Sequence, residues 1–254
     1  MIIDDMPINE LPNPLLMVSE VFNSFQGEGR NIGLPSTFLR LAYCNLACKW
    51  CDSKYTWDWQ HFHPSEQVKR LSLYDVARML EAWDTPNVVI TGGEPMLQQK
   101  NLVKLIDLLT QERSLSPVGN PWRHFEIETA GTIPPNERLE SRIDLFTVSP
   151  KLINSGNPEH KRFNATALER FAMLATWNKA VFKFVVVNDS DFYEIDEIVQ
   201  GFGIPAHSVY IMPEGVEMGT INARFPDLLK YVMKRNYRFT TRLHIAVFGN
   251  VRGV

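Results

Sequence analysis

Cysteine is nearly absent from this chain: three residues in 254, all between positions 44 and 51. So few, in odd number, exclude a disulfide framework, because pairing leaves one thiol over and the spacing is too tight for two bridges. Long apolar runs are also missing. No stretch approaches the roughly 18 apolar residues of a membrane-spanning helix. Basic charge is not in excess either. The 26 Lys and Arg stand against 29 Asp and Glu, a net charge of −3, which argues against an electrostatic grip on nucleic acid and suggests no membrane-surface partner. The first residues, Met1-Ile-Ile-Asp-Asp-Met6, are acidic and lack the charged and apolar regions of a signal peptide. There is no repeat, no low-complexity tract, and no Pro/Gly/Ser linker to divide the chain. What is there suffices for one large α/β domain over residues 1–254, since 44% of residues are hydrophobic and 22% charged. Thiols kept free need a reducing compartment, so the expected location is cytoplasmic.

The three cysteines form one motif, Cys44-Asn-Leu-Ala-Cys48-Lys-Trp-Cys51. Iron–sulfur clusters normally take four cysteines. Three thiolates at this spacing suit a [4Fe–4S] cluster whose fourth iron stays open to a small molecule, which points to catalysis rather than electron storage. The alternative is a structural zinc site. Zinc wants four closed ligands, so it would need a distant histidine such as His61, His63 or His124.

Strand-like and helix-like segments alternate along the chain. Strands are predicted over Met17–Phe22, Thr37–Leu41, Asn87–Ile90, Phe125–Glu128, Leu145–Val148, Ala180–Val187, Val209–Met212 and Leu243–Phe248. Ser72 with Asp75 reads as a capping box, opening a helix whose apolar stripe is Leu73, Val76, Ala77 and Leu80. Leu102, Leu105, Ile106 and Leu109 mark a helix over Gln98–Glu112. Further helices are expected over Ala165–Trp177, Asp191–Gln200 and Pro226–Lys234, the last with Pro226 in its first turn. Strands separated by such helices make βαβ units and a parallel sheet. Residues 1–16 read as an N-terminal extension, Lys54–Leu71 as an insertion over the sheet end, and Pro117–Pro121 as irregular.

The polar motifs fall after strand ends: Gln26-Gly-Glu-Gly29, the cysteine loop, Thr91-Gly-Gly-Glu-Pro95, Glu128-Thr129 and Ser149-Pro150-Lys151. Parallel α/β folds bind ligands there. The glycines after Thr91 let backbone approach a ligand. Glu128 can accept from a ribose or a substrate nitrogen. Arg40, in an otherwise apolar strand, is either half exposed in an ion pair or aimed at a carboxylate, its natural bidentate partner. Asp52 and Ser53 offer hard oxygens beside the cluster. They suit Mg2+ or, equally, a helix cap.

The cysteine triplet with Trp50, followed by Thr91-Gly-Gly-Glu-Pro95, resembles the radical S-adenosylmethionine superfamily. The fuller set adds Ser24-Phe-Gln-Gly-Glu-Gly29, Phe38-Leu-Arg40, Cys51-Asp-Ser53, Glu128-Thr-Ala-Gly-Thr132, Ser149-Pro-Lys151 and Gly249-Asn-Val-Arg-Gly-Val254. Together these are similar to the 7-carboxy-7-deazaguanine synthase family, from Met17 to the last residue. The resemblance implies a partial (β/α)6 barrel, a homodimer, Mg2+ dependence, and an electron donor such as a flavodoxin or ferredoxin. The implied reaction contracts 6-carboxy-5,6,7,8-tetrahydropterin to 7-carboxy-7-deazaguanine with loss of ammonia, on the route to queuosine and related 7-deazapurines. By motif, Cys44, Cys48 and Cys51 would hold the cluster and Ser53 the Mg2+. Gly93, Glu128, Ser149, Pro150 and Lys151 would contact S-adenosylmethionine. Phe25, Gln26, Gly27, Glu28, Arg40 and Thr91 would contact the pterin, as would Val254, whose α-carboxylate the turns at Gly249 and Gly253 could fold back over the strand ends. The family commonly has an amide where this chain has Ala130, so no side-chain contact is expected there. Two other readings stand beside this one: a glycyl-radical-enzyme activase, which shares the cysteine spacing, and a non-enzymatic zinc-binding interaction module.

Overall fold

A computed structural model of the protein describes residues 14–114 and 123–254. The Pro117–Pro121 stretch and most of the 1–16 extension lie outside the described residues. The strands are β1 (Leu15–Phe25), β2 (Pro35–Leu41), β3 (Lys69–Ser72), β4 (Asn87–Gly92), β5 (His124–Thr129), β6 (Leu145–Val148), β7 (Ala180–Val186), β8 (Val209–Pro213) and β9 (Arg238–Phe239). They form one sheet in the order β3-β1-β2-β4-β5-β6-β7-β8-β9. From β2 onward every pairing is parallel. β1 runs antiparallel to both β2 and β3. Since β3 and β9 end the order, the barrel is not closed.

The parallel part follows from the sequence. Strands covered on both faces read as continuous apolar runs rather than alternating ones. In β7 every residue is buried, and the same is true of β8. The helices between the strands from β3 onward are α2 (Leu73–Glu81), α3 (Gln99–Ser114), α4 (Glu137–Glu140), α5 (Glu159–Arg162), α6 (Ala165–Thr176), α7 (Asp191–Gly201) and α8 (Met218–Arg235), with α6 and α7 packed on β7 and α8 on β8. Ser72 is the N-cap of α2, with Asp75 N donating to Ser72 Oγ at 3.1 Å, but the return bond is not that of a capping box: Asp75 Oδ2 accepts from Ser72 Oγ at 2.6 Å. Leu73, Val76, Ala77 and Leu80 are the buried stripe behind it.

Three expectations are corrected. Leu243–Phe248 is a helix, α9, and not a strand. Its short apolar run suits a strand or a helix equally, and here the chain is turned onto the site, with Leu243 N donating to Gly27 O at 2.8 Å. Pro226 does not open the last long helix. α8 starts at Met218 and carries Pro226 inside it, giving up one intrahelical hydrogen bond. The tract Lys54–Leu71 is more than a cover. After a short helix, α1 (Pro64–Gln67), it supplies most of β3, which pairs with β1 from Leu15↔Ser72 to Val18↔Lys69. Leu15 and Leu16, placed in the N-terminal extension by sequence, accordingly belong to the sheet.

Candidate active site

A cavity of about 520 Å³ opens at the carboxyl ends of the strands. Gln26, Cys48, Cys51, Thr91, Gly93, Glu128 and Lys151 all line it, so the five strand-end segments singled out by sequence meet in one place, with Arg40 beside them. Phe25, Gly27, Glu28, Ser53, Ser149 and Val254 line it as well. Pro150 is buried and does not line it.

The residues are tied to one another before any ligand arrives. The Glu128 carboxylate accepts from Thr91 Oγ1 at 2.7 Å and from Gln26 Nε2 at 3.2 Å. Gln26 Nε2 also reaches Glu126 Oε1 at 3.3 Å. Burial, and then the charge on Glu128, push the Glu126 carboxyl up to about 7. Lys151 Nζ donates to Ser149 O at 2.7 Å and to Ser149 Oγ at 3.0 Å, which closes the Ser-Pro-Lys turn on itself. Arg40 Nε sits 3.3 Å from Glu20 Oε2, with its guanidinium over the Phe22 ring.

The glycines have a different reason from the one the sequence suggested. A Cβ on Gly92 would overlap the Leu41 backbone, and one on Gly93 the Tyr43 carbonyl. Backbone packing against the strand that feeds the cysteine loop therefore demands them, whatever ligand they also meet. A Cβ on Gly27 would overlap the His244 ring, so this glycine admits α9 to the site.

Three side chains that line the cavity were missed by sequence reasoning: Lys183, Arg242 and His244. Glu28 lies between Lys183 and Arg242, accepting from Arg242 Nε at 2.9 Å and pairing closely with Lys183 Nζ. Burial would raise the Glu28 carboxyl. Lys183 and Arg242 more than reverse that and hold it well below the usual carboxylate range. Arg242 also pairs with Asp52, which takes one of the two hard-oxygen donors after Cys51. Ser53 is the other. It precedes a short 3-10 helix but makes no capping hydrogen bond with its side chain, so the capping alternative is not realised. Its Oγ lies 3.6 Å from Cys51 Sγ. Glu94 is fully buried and binds Met96 N at 3.0 Å, Thr129 Oγ1 at 2.8 Å and Ala130 N at 2.8 Å. It fixes the loop that follows β5. Of the three missed side chains only Lys183 left a sequence signal, as the one charge in an otherwise apolar strand, whereas Glu94 was already part of the Thr91-Gly-Gly-Glu-Pro95 motif.

The three cysteines are free thiols gathered with Leu46, Trp50 and Ala130 in one apolar cluster. Each sulfur meets an N–H donor: Cys44 Sγ from Leu46 N at 3.4 Å, Cys48 Sγ from Asn157 Nδ2 at 3.2 Å, and Cys51 Sγ from Trp57 Nε1 at 3.4 Å. Donors aimed at sulfur favour the thiolate, the form that binds iron. Burial pushes the Cys44 thiol up to about 12 and raises Cys48 too, so metal loading releases protons here. Three cysteine thiols are the right kind of donor for an iron–sulfur cluster, though as placed no three His, Cys, Asp or Glu side chains among the described residues form a group that could hold a metal ion. The thiols do not find a fourth ligand for zinc among the candidate histidines. His124 binds Asn87 Oδ1 at 2.8 Å at the opposite end of the sheet. His61 binds Asp58, and both His61 and His63 are exposed.

Comparison with known proteins decides between the remaining readings. The model of the Radical SAM superfamily matches residues 40–175. A 7-carboxy-7-deazaguanine synthase of Pyrobaculum aerophilum is 35% identical over 94% of this chain and 98% of its own length. The chain belongs to the 7-carboxy-7-deazaguanine synthase family. Synthases of Rhodopirellula baltica, 35% identical over 94% of this chain and 88% of theirs, and Halobacterium salinarum, 33% identical over 93% and 92%, agree. The family fold is evident in the crystal structure of QueE from Escherichia coli. Its TM-score is 0.65 at 24% identity, covering 91% of this chain and 95% of that one. Streptococcus suis SuiB bound to S-adenosylmethionine matches at TM-score 0.50 and 13% identity, over 81% of this chain and 47% of that one. Membership of the Radical SAM superfamily makes the chain a radical enzyme that uses a [4Fe–4S] cluster and S-adenosylmethionine. Among the described residues no helix is long and apolar enough to cross a membrane.

Proposed function

We propose that this chain is a 7-carboxy-7-deazaguanine synthase, converting 6-carboxy-5,6,7,8-tetrahydropterin to 7-carboxy-7-deazaguanine with loss of ammonia. The observation that carries this reading is near full-length similarity to such synthases, together with a single cavity in which every family motif converges. Cys44, Cys48 and Cys51 hold the cluster. The cluster and S-adenosylmethionine, when bound, would supply the radical chemistry. The chain's residues bind, orient and shield. Gly93, Glu128, Ser149 and Lys151 face S-adenosylmethionine, with Pro150 stiffening the turn from behind. Phe25, Gln26, Gly27, Glu28, Arg40, Thr91 and Val254 face the pterin. Anaerobic turnover of the carboxypterin, followed by mass spectrometry, tests the proposal. Release of 5′-deoxyadenosine in step with substrate and no deazaguanine product would overturn it.

Arg40 is assigned to the substrate carboxylate. Only its Nε is engaged with Glu20, which leaves the terminal fork for a ligand in the cavity it lines. Arg40→Lys keeps the charge but loses the planar fork. The expected loss of pterin affinity is on the order of 2–4 kcal/mol, with S-adenosylmethionine affinity unchanged. Calorimetric titration of each ligand checks this, and equal weakening of both would reassign the residue.

Ser53 is assigned to Mg2+, which takes few protein ligands and several waters. Its buried, uncapping hydroxyl lines the cavity. Mg2+ is expected to stimulate turnover and Ser53→Ala to remove most of the stimulation. An unchanged Mg2+ response in the variant would take the ion elsewhere.

The segment Asn250–Val254 lines the cavity as well. Arg252 anchors it by pairing with Glu20, donating to Gln67 Oε1 at 2.7 Å and lying 3.7 Å from the centre of the Tyr55 ring. Arg252→Ala should loosen that closure and weaken pterin binding by about 1 kcal/mol, the scale of one cation–π contact. A dissociation constant equal to the parent's would show that the segment does not cover the substrate.

A further inference from the structure

Two carboxylates on β5, Glu126 and Glu128, lie two residues apart and so share one face of the strand. One side-chain amide sits between them: Gln26 Nε2 donates to Glu126 Oε1 at 3.3 Å and to Glu128 Oε1 at 3.2 Å. Gln26 and Glu128 line the cavity, but Glu126 does not. It is fully buried behind them. Thr147 Oγ1 also donates to Glu126 Oε1, at 2.6 Å, and Asn31 Nδ2 donates to its Oε2 at 2.9 Å. Three donors thus converge on a side chain that accepts from all of them only when ionised.

An amide NH2 group has two hydrogens. In Gln26 the two carboxylates take both, so the carbonyl is the end left for a ligand. Its Oε1 accepts from Glu28 N at 3.2 Å and keeps a second lone pair. The Gln26 backbone is pinned as well, with N donating to Leu34 O at 2.8 Å and O accepting from Gly33 N at 2.7 Å. The side-chain amide is therefore the part free to respond to its partners. Without an acceptor at Glu126, one N–H of Gln26 is released and the amide can turn. A pterin carries its amino group and a ring N–H along one edge. An amide carbonyl accepts from that edge, and an amide NH2 group opposes it.

We propose that Glu126 is a positioning residue whose ionised carboxylate holds the Gln26 NH2 group, so that the carbonyl is what Gln26 offers to the pterin. This rests on the reading of Gln26 as a pterin contact. The charged groups that face Glu126 are Glu128 on its own strand and Lys183 on β7. β6 and the turn at Gly29–Asn31 meet it with the neutral Thr147 and Asn31, and Val89 stands opposite on β4. Arg30 of that turn is exposed and donates to Asn178 O at 2.9 Å, and His124, earlier on β5, is engaged with Asn87 Oδ1. Burial and the Glu128 charge bring the Glu126 carboxyl up to about 7. A proton there sets an O–H among three donors and replaces charge-assisted bonds by neutral ones about half as strong. The hold on Gln26 is therefore present above that value and is lost as pH falls through it.

The test titrates 6-carboxy-5,6,7,8-tetrahydropterin anaerobically into the cluster-loaded enzyme, parent and Glu126→Gln, at about one pH unit above and below neutrality. The variant is near-isosteric and neutral at every pH. At the higher pH it is expected to bind the pterin roughly tenfold more weakly than the parent, the scale of one hydrogen bond to a charged group, and to bind S-adenosylmethionine equally well. At the lower pH the parent's pterin affinity should fall toward the variant's. Any pH dependence left in both belongs to His244, which lines the cavity, or to the pterin itself. Parental pterin affinity in the variant at the higher pH would overturn the proposal, and so would a pH dependence equal to the parent's. Equal weakening of both ligands would overturn it too, since the site as a whole would then have changed. Each of these leaves the substrate reading standing. A parent that binds S-adenosylmethionine but not the pterin would overturn the substrate reading and this inference with it.

Discussion

Replacing Cys44, Cys48 or Cys51 by alanine, one at a time, is expected to bring iron content and turnover down to background. The chain has no spare thiol, and no candidate histidine stands near enough to substitute. His124 is at the other end of the sheet. Two thiolates cannot hold a cubane that ordinarily takes four. The loss should be equally severe at all three positions, although they differ in surroundings: Cys48 and Cys51 line the main cavity and Cys44 a separate hollow. Iron and sulfide analysis of anaerobically purified variants, read with turnover, checks this. One variant with near-normal turnover would refute the three-thiolate assignment.

The second large effect is expected at Glu28. Its carboxylate lies between two buried cations, Lys183 and Arg242. Glu28→Ala leaves both cations without that partner, and breaking a buried pair at one end costs about 3–5 kcal/mol. The pH dependence has a definite sign. The Glu28 carboxyl is held below its unfolded value of about 4.3, so its contribution is fully present above that value. It is lost as pH falls through the folded value. Urea unfolding of parent and variant should therefore differ by several kcal/mol at neutral pH, and the gap should narrow as the solution is acidified below about pH 4.3. A gap that widens on acidification would mean that Glu28 is not the stabilising anion.

Much of this was legible from the sequence, for identifiable reasons. The parallel strands announced themselves because β-branched runs such as Val88-Val-Ile90 and Val185-Val186 are buried on both faces. The capped helix after Ser72 was legible because both partners of the cap are local. The motif segments could be gathered at one end of the sheet because each follows a strand. What could not be read is non-local. Leu243–Phe248 is a short apolar run that periodicity cannot assign to strand or helix, and it is a helix in the structure. Gly92 and Gly93 looked like ligand-facing glycines, yet the Leu41 and Tyr43 backbones impose them. Arg242 and His244 belong to no motif, and they reach the site only because α9 packs on Gly27. Lys183 was visible as an oddity, but its partner, Glu28, lies 155 positions away.

That last separation governs how the enzyme can be made. The Glu28–Arg242 contact spans 214 positions, nearly the whole described chain. During synthesis the hairpin of β1 and β2, the cysteine loop and the first parallel strands are complete long before residue 242 is translated. Until then Glu28 faces a half-built mouth, and contacts of such long range slow folding. Incomplete sheets with unpaired edges are aggregation-prone. A nascent chain stalled before Arg242 would have all three cluster thiols and no finished pocket. The cluster thiols and the finished pocket therefore become available at different stages of synthesis, because the mouth is completed only when Arg242 reaches Glu28.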